Sequence, residues 1–225
     1  MKFIGHLDIM RYFQKAIRRA GIDIAYSEGM SPHMIMSFAS PLGVGLTSDA
    51  EYMDIEIQTP ITSQTAIDAL NRVGAEGITV TEFRQVPEGK AGNAMTLVAA
   101  ADYTLRFRKG CAPKTDWQSA ISHFFAQKEI IVLKKTKKFE KEVDIRPMIY
   151  DMHVNGGTVF FSLASGSAAN LKPELVMDTY LHSIGTEPQP FAYEINRCEI
   201  FADLGTENKR KLVPLGDLGK DIEEV

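Results

Sequence analysis

An α+β fold is predicted for this chain on three observations. Stretches of helical period alternate with stretches of period two, the order helix, strands, helix, strand occurs twice, and a turn-rich segment, PEGKAGN (87–93), separates the two occurrences. In the second occurrence a strand precedes the first helix, giving β-α-β-β-α-β with one extra strand. That order is the split βαβ, or ferredoxin-like, arrangement, so the sequence predicts two such halves in tandem. The expected boundaries are 1–86 for the first half, 87–94 for a linker and 95–202 for the second half. The polar, charged tail at 203–225 is expected to be disordered.

The first half opens with a predicted helix over Leu7–Ala20, because Leu7, Met10, Phe13 or Gln14, and Ile17 follow the helical period. Gly21 stands where a left-handed C-terminal residue is wanted, and Asp8 where it can cap the helix or favour its positive end. Ile22–Tyr26 alternates as a short strand, 27–33 is a loop, and Met34–Phe38 is strand-like again. After a turn at 42–45, residues 51–58 alternate Met53, Ile55 and Ile57 against Asp54 and Glu56. A helix over Ser63–Val73 and a strand over Ile78–Val86 close this half.

In the second half Tyr103, Leu105 and Phe107 mark a strand, and Trp117, Ile121 and Phe124 share one face of a helix over 116–127. Strands are predicted at Glu129–Lys135 and Lys141–Met152, with a hairpin at NGGTVFFSLAS (155–165) turning on Asn155-Gly156-Gly157. Helix Pro173–His182 and strand Tyr193–Phe201 follow. One element is missing. A ferredoxin-like first half needs a central strand before Leu7, and unpaired neighbours are costly, so the natural protein is expected to start upstream with Met1 internal. The alternative is a short strand of four or five residues.

Composition narrows the class. Hydrophobic residues make up 44% and charged residues 24%, ordinary for a soluble globular protein with a real core. A formal charge of −4 argues against coating nucleic acid by bulk charge, while leaving room for a local basic patch. The two cysteines, Cys111 and Cys198, lack metal-ligand spacing and fit a reduced cytoplasmic compartment. No apolar run approaches the roughly 18–20 residues of a membrane span, and no signal peptide is evident.

Three stretches carry candidate chemistry. In the first, His6 and His33 lie near Asp8, Ser27, Ser31 and Ser37, and a His beside an acid or hydroxyl can act as base and nucleophile. If Ile22–Tyr26 is the second sheet strand, the 5–8 turn and the 27–33 loop meet at one end of the sheet. If Met34–Phe38 is that strand, His33 falls at the opposite end. Structural roles, a turn residue for His6 and a loop-closing residue for His33, compete with the catalytic ones.

The second stretch is KKTKKFEKEVDIRP (134–147). Strand spacing lines Lys135 and Lys137 along one face, with Lys134 and Lys138 on the other. Such a stretch suits a phosphate backbone, and with Arg11, Lys15, Arg18 and Arg19 it makes a basic surface. A solvated edge strand is the competing reading, and Asp144 beside Arg146 reads as a structural ion pair. The third stretch, SGSAANLKPELV (165–176), enters a helix through small residues, either as an anion-holding helix start or as an ordinary cap. No HExxH, GxxxxGK[ST] or complete dinucleotide fingerprint occurs, and no metal is expected.

The stretch FIGHLDIMRYFQKAIRRAGIDIAYSEGMSPHMIMSFASPLGVGLTSDAEYMDIEI (3–57) resembles the N-terminal signature of the radical-SAM-linked bacterial proteins, a domain of unknown function. The resemblance rests on Gly5-His6-Leu7-Asp8, Met10-Arg11, Arg18-Arg19-Ala20-Gly21, Tyr26-Ser27, Gly29, Pro32-His33, Ser37-Phe38-Ala39, Pro41-Leu42, Gly43 and Glu51-Tyr52. Later blocks, TKK…VDIRP and SGSAANLKPE, are also similar. Met30 departs from the pattern, which has Phe there. The resemblance implies association with a radical SAM protein that carries a cobalamin-binding region, and genomic neighbours that include an RNA-processing nuclease. This chain lacks the CxxxCxxC triplet. The iron–sulfur cluster, SAM and cobalamin are therefore expected only in the partner, with no cofactor here.

The leading expectation is a non-catalytic substrate-recognition module for a radical SAM protein, binding RNA (tRNA or rRNA). Its binding set is His6, Asp8, Arg11, Arg18, Arg19, Ser27, Gly29, Ser31, Pro32, His33, Lys135, Lys137, Lys138 and Arg146. The alternatives are an RNA-processing or RNA-modifying enzyme using His6 and His33, and a protein–protein adaptor.

Overall fold

The computed structural model describes residues 2–135, 140–206 and 209–223. The first elements are α1 (His6–Ala20), β1 (Met36–Phe38), β2 (Thr47–Ser48), β3 (Met53–Ile55), α2 (Ser63–Arg72), β4 (Arg84–Gln85) and α3 (Ala94–Leu97). Then come β5 (Val98–Phe107), α4 (Ile121–Phe125), β6 (Ile131–Lys135), β7 (Glu140–Asp144), β8 (Ile149–Asn155) and β9 (Thr158–Ala164). The last are α5 (Pro173–Ser183), β10 (Tyr193–Asp203), β11 (Leu212–Pro214) and β12 (Lys220–Asp221). The protein is mixed α+β. It divides into a first unit of Met1–Gly45, Glu51–Val98 and Phe201–Val225, and a second of Leu46–Ala50 and Ala99–Ile200.

In the first unit α1 buries Ala16 and Ile17 against α2, whose Ala66 and Leu70 answer the same helical period. Ile22, Ile24 and Met34 complete this core, with Met53, Ile55, Val80 and Phe83 packed on it. Gly21 ends α1 at φ 73°, its N–H on the Arg18 carbonyl while the Ile22 N–H reaches Ile17, so two orphan carbonyls of the last turn are satisfied. Gly21→Ala is expected to cost about 1 kcal/mol, because a Cβ disfavours that φ although no atom obstructs it. Urea unfolding measures the loss.

Strand structure here is more broken than the sequence predicts. Residues 22–26 form two single bridges, Ile24 with Ile57 and Tyr26 with Met34, while β1 and β3 pair as a short ladder. The expected strand at 78–86 shrinks to β4, since the Asn71 side chain takes both the N–H and the carbonyl of Val80 at 2.8 Å. Residues 2–5 form a turn and coil before α1. The expected linker also carries structure: α3 begins at buried Ala94, whose N–H donates to Asp54 at 2.8 Å.

The tail expected to be disordered is ordered over 209–223. β11 pairs antiparallel with the end of β10, Leu215 is buried, and β12 pairs with β4. The Ser63 N–H donates to the Ile222 carbonyl, the Ile222 N–H donates back to Ser63 Oγ, and Arg84 Nη1 holds the Gly216 carbonyl at 2.8 Å. At Gly219 a Cβ would stand 2.7 Å from that of Arg84, so the strap passes there only as glycine. Apolar side chains in a polar segment and backbone pairing at both ends supply what charge counting misses.

In the second unit the four long strands lie in the order β10-β5-β9-β8, with α4 after β5 and α5 after β9 in the chain. β2 adds to the β10 edge in parallel, making the sheet mixed. On the core face Met152, Phe161 and Tyr103 form one rung, and Val154, Val159 and Leu105 the next. Phe161, Val159 and Leu105 are fully buried there. Phe124 of α4 meets Tyr180 of α5 edge-on, and the Tyr180 hydroxyl donates to the Trp117 carbonyl.

Two predicted elements differ in this unit. The helix over 116–127 contracts to α4, because Asp116 takes the Gln118 and Ser119 N–H groups in a local turn. Trp117, Ile121 and Phe124 are nonetheless buried together as their spacing predicts. The single strand expected over 141–152 is two strands, interrupted by a tight turn at Arg146–Met148 containing Pro147. β7 consequently leaves the main sheet and pairs with β6 as a separate ribbon.

Candidate functional site

The exposed face of α1 is cationic. Arg11, Lys15, Arg18 and Arg19 all lie in solvent on it, and Arg11 and Lys15, like Lys15 and Arg19, are about 6 Å apart along the axis. Arg11 Nη1 pairs with Asp8 at 3.3 Å, in an ion pair too exposed to stabilise much. Arg19 Nη2 reaches the Val73 carbonyl at 3.3 Å. That contact brings the end of α2 alongside, and with it exposed Arg72, which the sequence reading missed. Only the packing of α1 on α2 reveals it.

The helix start is open. Gly5 is the N-cap and offers no side chain, so Asp8 acts in the first turn as a favourable charge rather than as a cap. His6 packs edge-on against Phe38, ring centroids 5.4 Å apart. The 27–33 loop closes on itself: the Ser27 N–H donates to the His33 carbonyl, the His33 N–H donates to Ser27 Oγ, and Ser27 Oγ lies 2.7 Å from His33 Nδ1. Gly29 at φ 113°, Met30, Ser31 and Pro32 form its exposed tip.

These two features are not brought together. His6 sits against Phe38, whereas His33 precedes Met34 at the other end of the same extended segment. Five residues of extended chain span about 16 Å. A proton relay needs hydrogen-bond reach; the contacts described are His6 with Phe38 and His33 with Ser27. The Ser27–His33 pair is engaged in closing its own loop.

The 131–144 ribbon carries the second basic stretch. Lys137 and Lys138 lie outside the described residues, and for Lys135 only the backbone, paired with Glu140, is described. Arg146 is committed to the scaffold. Its Nε donates to the Gln127 carbonyl, its Nη1 to that of Ile149, and its guanidinium lies 4.3 Å over the Phe125 ring. Asp144 accepts the backbone N–H groups of Ile130 and Arg146, so the ion pair expected from their adjacency is a backbone clamp.

An open cleft of about 690 Å³ lies in the first unit beside Ser63, Gln64, Arg84 and Asp221. Its helix start is already satisfied by Ile222, and Glu82 and Asp221 flank its one arginine, which suits no anion. Among the described residues no group of three or more His, Cys, Asp or Glu is placed to hold a metal ion. No helix among them is long and apolar enough to cross a membrane.

In the second unit Asp102 stands half-buried on a central strand. Burial pushes its carboxyl above the ordinary range; the Ser162 hydroxyl opposes this, and the charges of Asp151 and Glu199 reinforce it. The folded state therefore binds the proton more tightly than the unfolded chain, and stability falls as pH rises through the folded value. Asp102→Asn is expected to raise the melting temperature by a few degrees near neutral pH, with the gain vanishing toward about pH 4. Thermal melts of both proteins across pH check the sign.

The geometry defines an α+β protein with a cationic helix face and an exposed loop closed by Ser27 and His33. Residues 1–173 match the family described as an uncharacterized protein conserved in bacteria (DUF2344). The chain belongs to that family. Comparison with curated proteins gives no match.

Proposed function

We propose that this chain is a non-catalytic recognition module that binds RNA for a radical SAM partner protein. The observation that carries the reading is the α1 face, where four exposed cations share one helix of a chain with formal charge −4. Cations at about 6 Å intervals meet successive charges of a phosphate backbone, and release of counterions makes such contacts strong at low salt. The fold is consistent with this reading. The order β10-β5-β9-β8 with helices after β5 and β9 resembles that of a ferredoxin-like domain, in which RNA recognition is common, an argument by fold analogy. The radical SAM partner follows from the GHLD…RRAG…PH resemblance. With two cysteines, these 225 residues cannot supply the cluster themselves.

A tagged chain purified from native cells tests both halves of the reading, with co-purifying protein and RNA identified. Recovery of a radical SAM protein together with a defined RNA is expected. A folded bait that returns neither sinks the proposal.

A further inference from the structure

Strand register lays out the face of the second unit's sheet opposite its core as three rungs. Asn155, Thr158 and Arg106 form the first, His153, Phe160 and Thr104 the second, and Asp151, Ser162 and Asp102 the third. Alternation puts Asp151 on the face of His153, and the shift between Ile149 and Asp151 returns Ile149 to the core. Neighbouring strands lie about 4.8 Å apart and successive rungs about 6.8 Å, so the grid is roughly 10 by 14 Å.

The chemistry changes along it. At one end Arg106 is exposed, its Nε bonded to Thr158 Oγ1 at 2.7 Å. In the middle the His153 ring lies flat on Phe160, centroids 4.8 Å apart at 27°, oriented by Asp151 at 3.1 Å from its Nδ1. The His153 side chain is 56% exposed, so the outer face of the ring is open. At the far end Asp102 Oδ1 is a buried acceptor that has no donor among the described residues. Glu199 adds charge beside it.

We propose that this face binds an unpaired nucleotide of single-stranded RNA, its phosphate toward Arg106, its base stacked on His153 and an exocyclic amino group toward Asp151 and Asp102. The site rests on the RNA reading above and adds to it a place where a base is read. The carboxylates repel phosphate from their own end, which fixes the direction of the nucleotide. Carboxylates only accept hydrogen bonds, so a base with an exocyclic amino group, such as adenine or cytosine, fits better than uracil, whose N3–H lies between two carbonyl oxygens that the carboxylates repel.

The test is fluorescence anisotropy of the full chain with labelled A8 and U8 RNA octamers. A8 is expected to bind several-fold more tightly than U8, and Asp151→Asn to narrow that difference. His153→Ala is expected to weaken A8 binding roughly 5- to 100-fold, the range for one stacked base, with His153→Phe restoring most of it. If A8 and U8 bind alike and His153→Ala changes nothing, while charge reversal on α1 still weakens both, the site falls and the RNA reading stands. If the wild-type chain binds neither octamer, both fall. If 5′-AMP alone binds as tightly as A8, the site belongs to a free nucleotide and the single-strand proposal is overturned.

Discussion

Reversing three charges on α1, in an Arg11→Glu, Lys15→Glu, Arg18→Glu variant, is expected to weaken RNA binding on the order of 100-fold at low salt. The slope of log affinity against log salt should fall by about 2, since each phosphate contact to a single strand contributes about 0.7. All three side chains lie in solvent, away from buried Ala16 and Ile17, so the fold survives. Some stability is lost: Arg18 favours the negative end of the helix, and a glutamate there reverses a contribution of about 0.3–1 kcal/mol. Titrations at several salt concentrations read the slope, and circular dichroism confirms the helix. A variant that binds like the wild type would remove α1 from the interface.

Phe161→Ala is expected to carry the largest stability cost, about 3–5 kcal/mol. The ring is fully buried on a central strand, between Met152 and Tyr103 of the two neighbouring strands. Its removal leaves a cavity that strands paired on both sides cannot close, because their spacing is fixed by backbone hydrogen bonds. Domains are held by only about 5–15 kcal/mol, so the variant should unfold at far lower urea. A loss under about 1 kcal/mol would mean that the sheet repacks, contrary to the register described.

The legible parts of the fold were those written in local periodicity. Ile17 and Leu70 announce two helices by spacing, Gly21 announces the end of one, and Asn155-Gly156-Gly157 announces a hairpin. What escaped depends on distant partners. Asn71 replaces a sheet ladder for Val80, and Pro147 splits one alternating run into two strands serving different sheets. The strap at 209–223 is ordered by β4, Ser63 and Arg84, none of which its own composition reveals. The candidate site divides the same way. The cations of α1 share a face because helix geometry puts them there. Arg146 looked equally basic, but its guanidinium is consumed by two carbonyls and a ring. His153, Phe160 and Arg106 are far apart in the sequence, and only strand register sets them side by side.

The interleaving of the two units bears on synthesis. The first unit needs residues 201–223 to pair β10 with β11 and β4 with β12, yet 102 residues of the second unit, 99–200, separate these from Val98. At about 5–20 residues per second, α1, α2 and β4 wait roughly 5–20 s on the ribosome without their strap. The second unit, apart from the short 46–50 segment, emerges uninterrupted and can fold first. A released chain ending at residue 200 should therefore resist protease over 99–200 while remaining cleavable around Arg84.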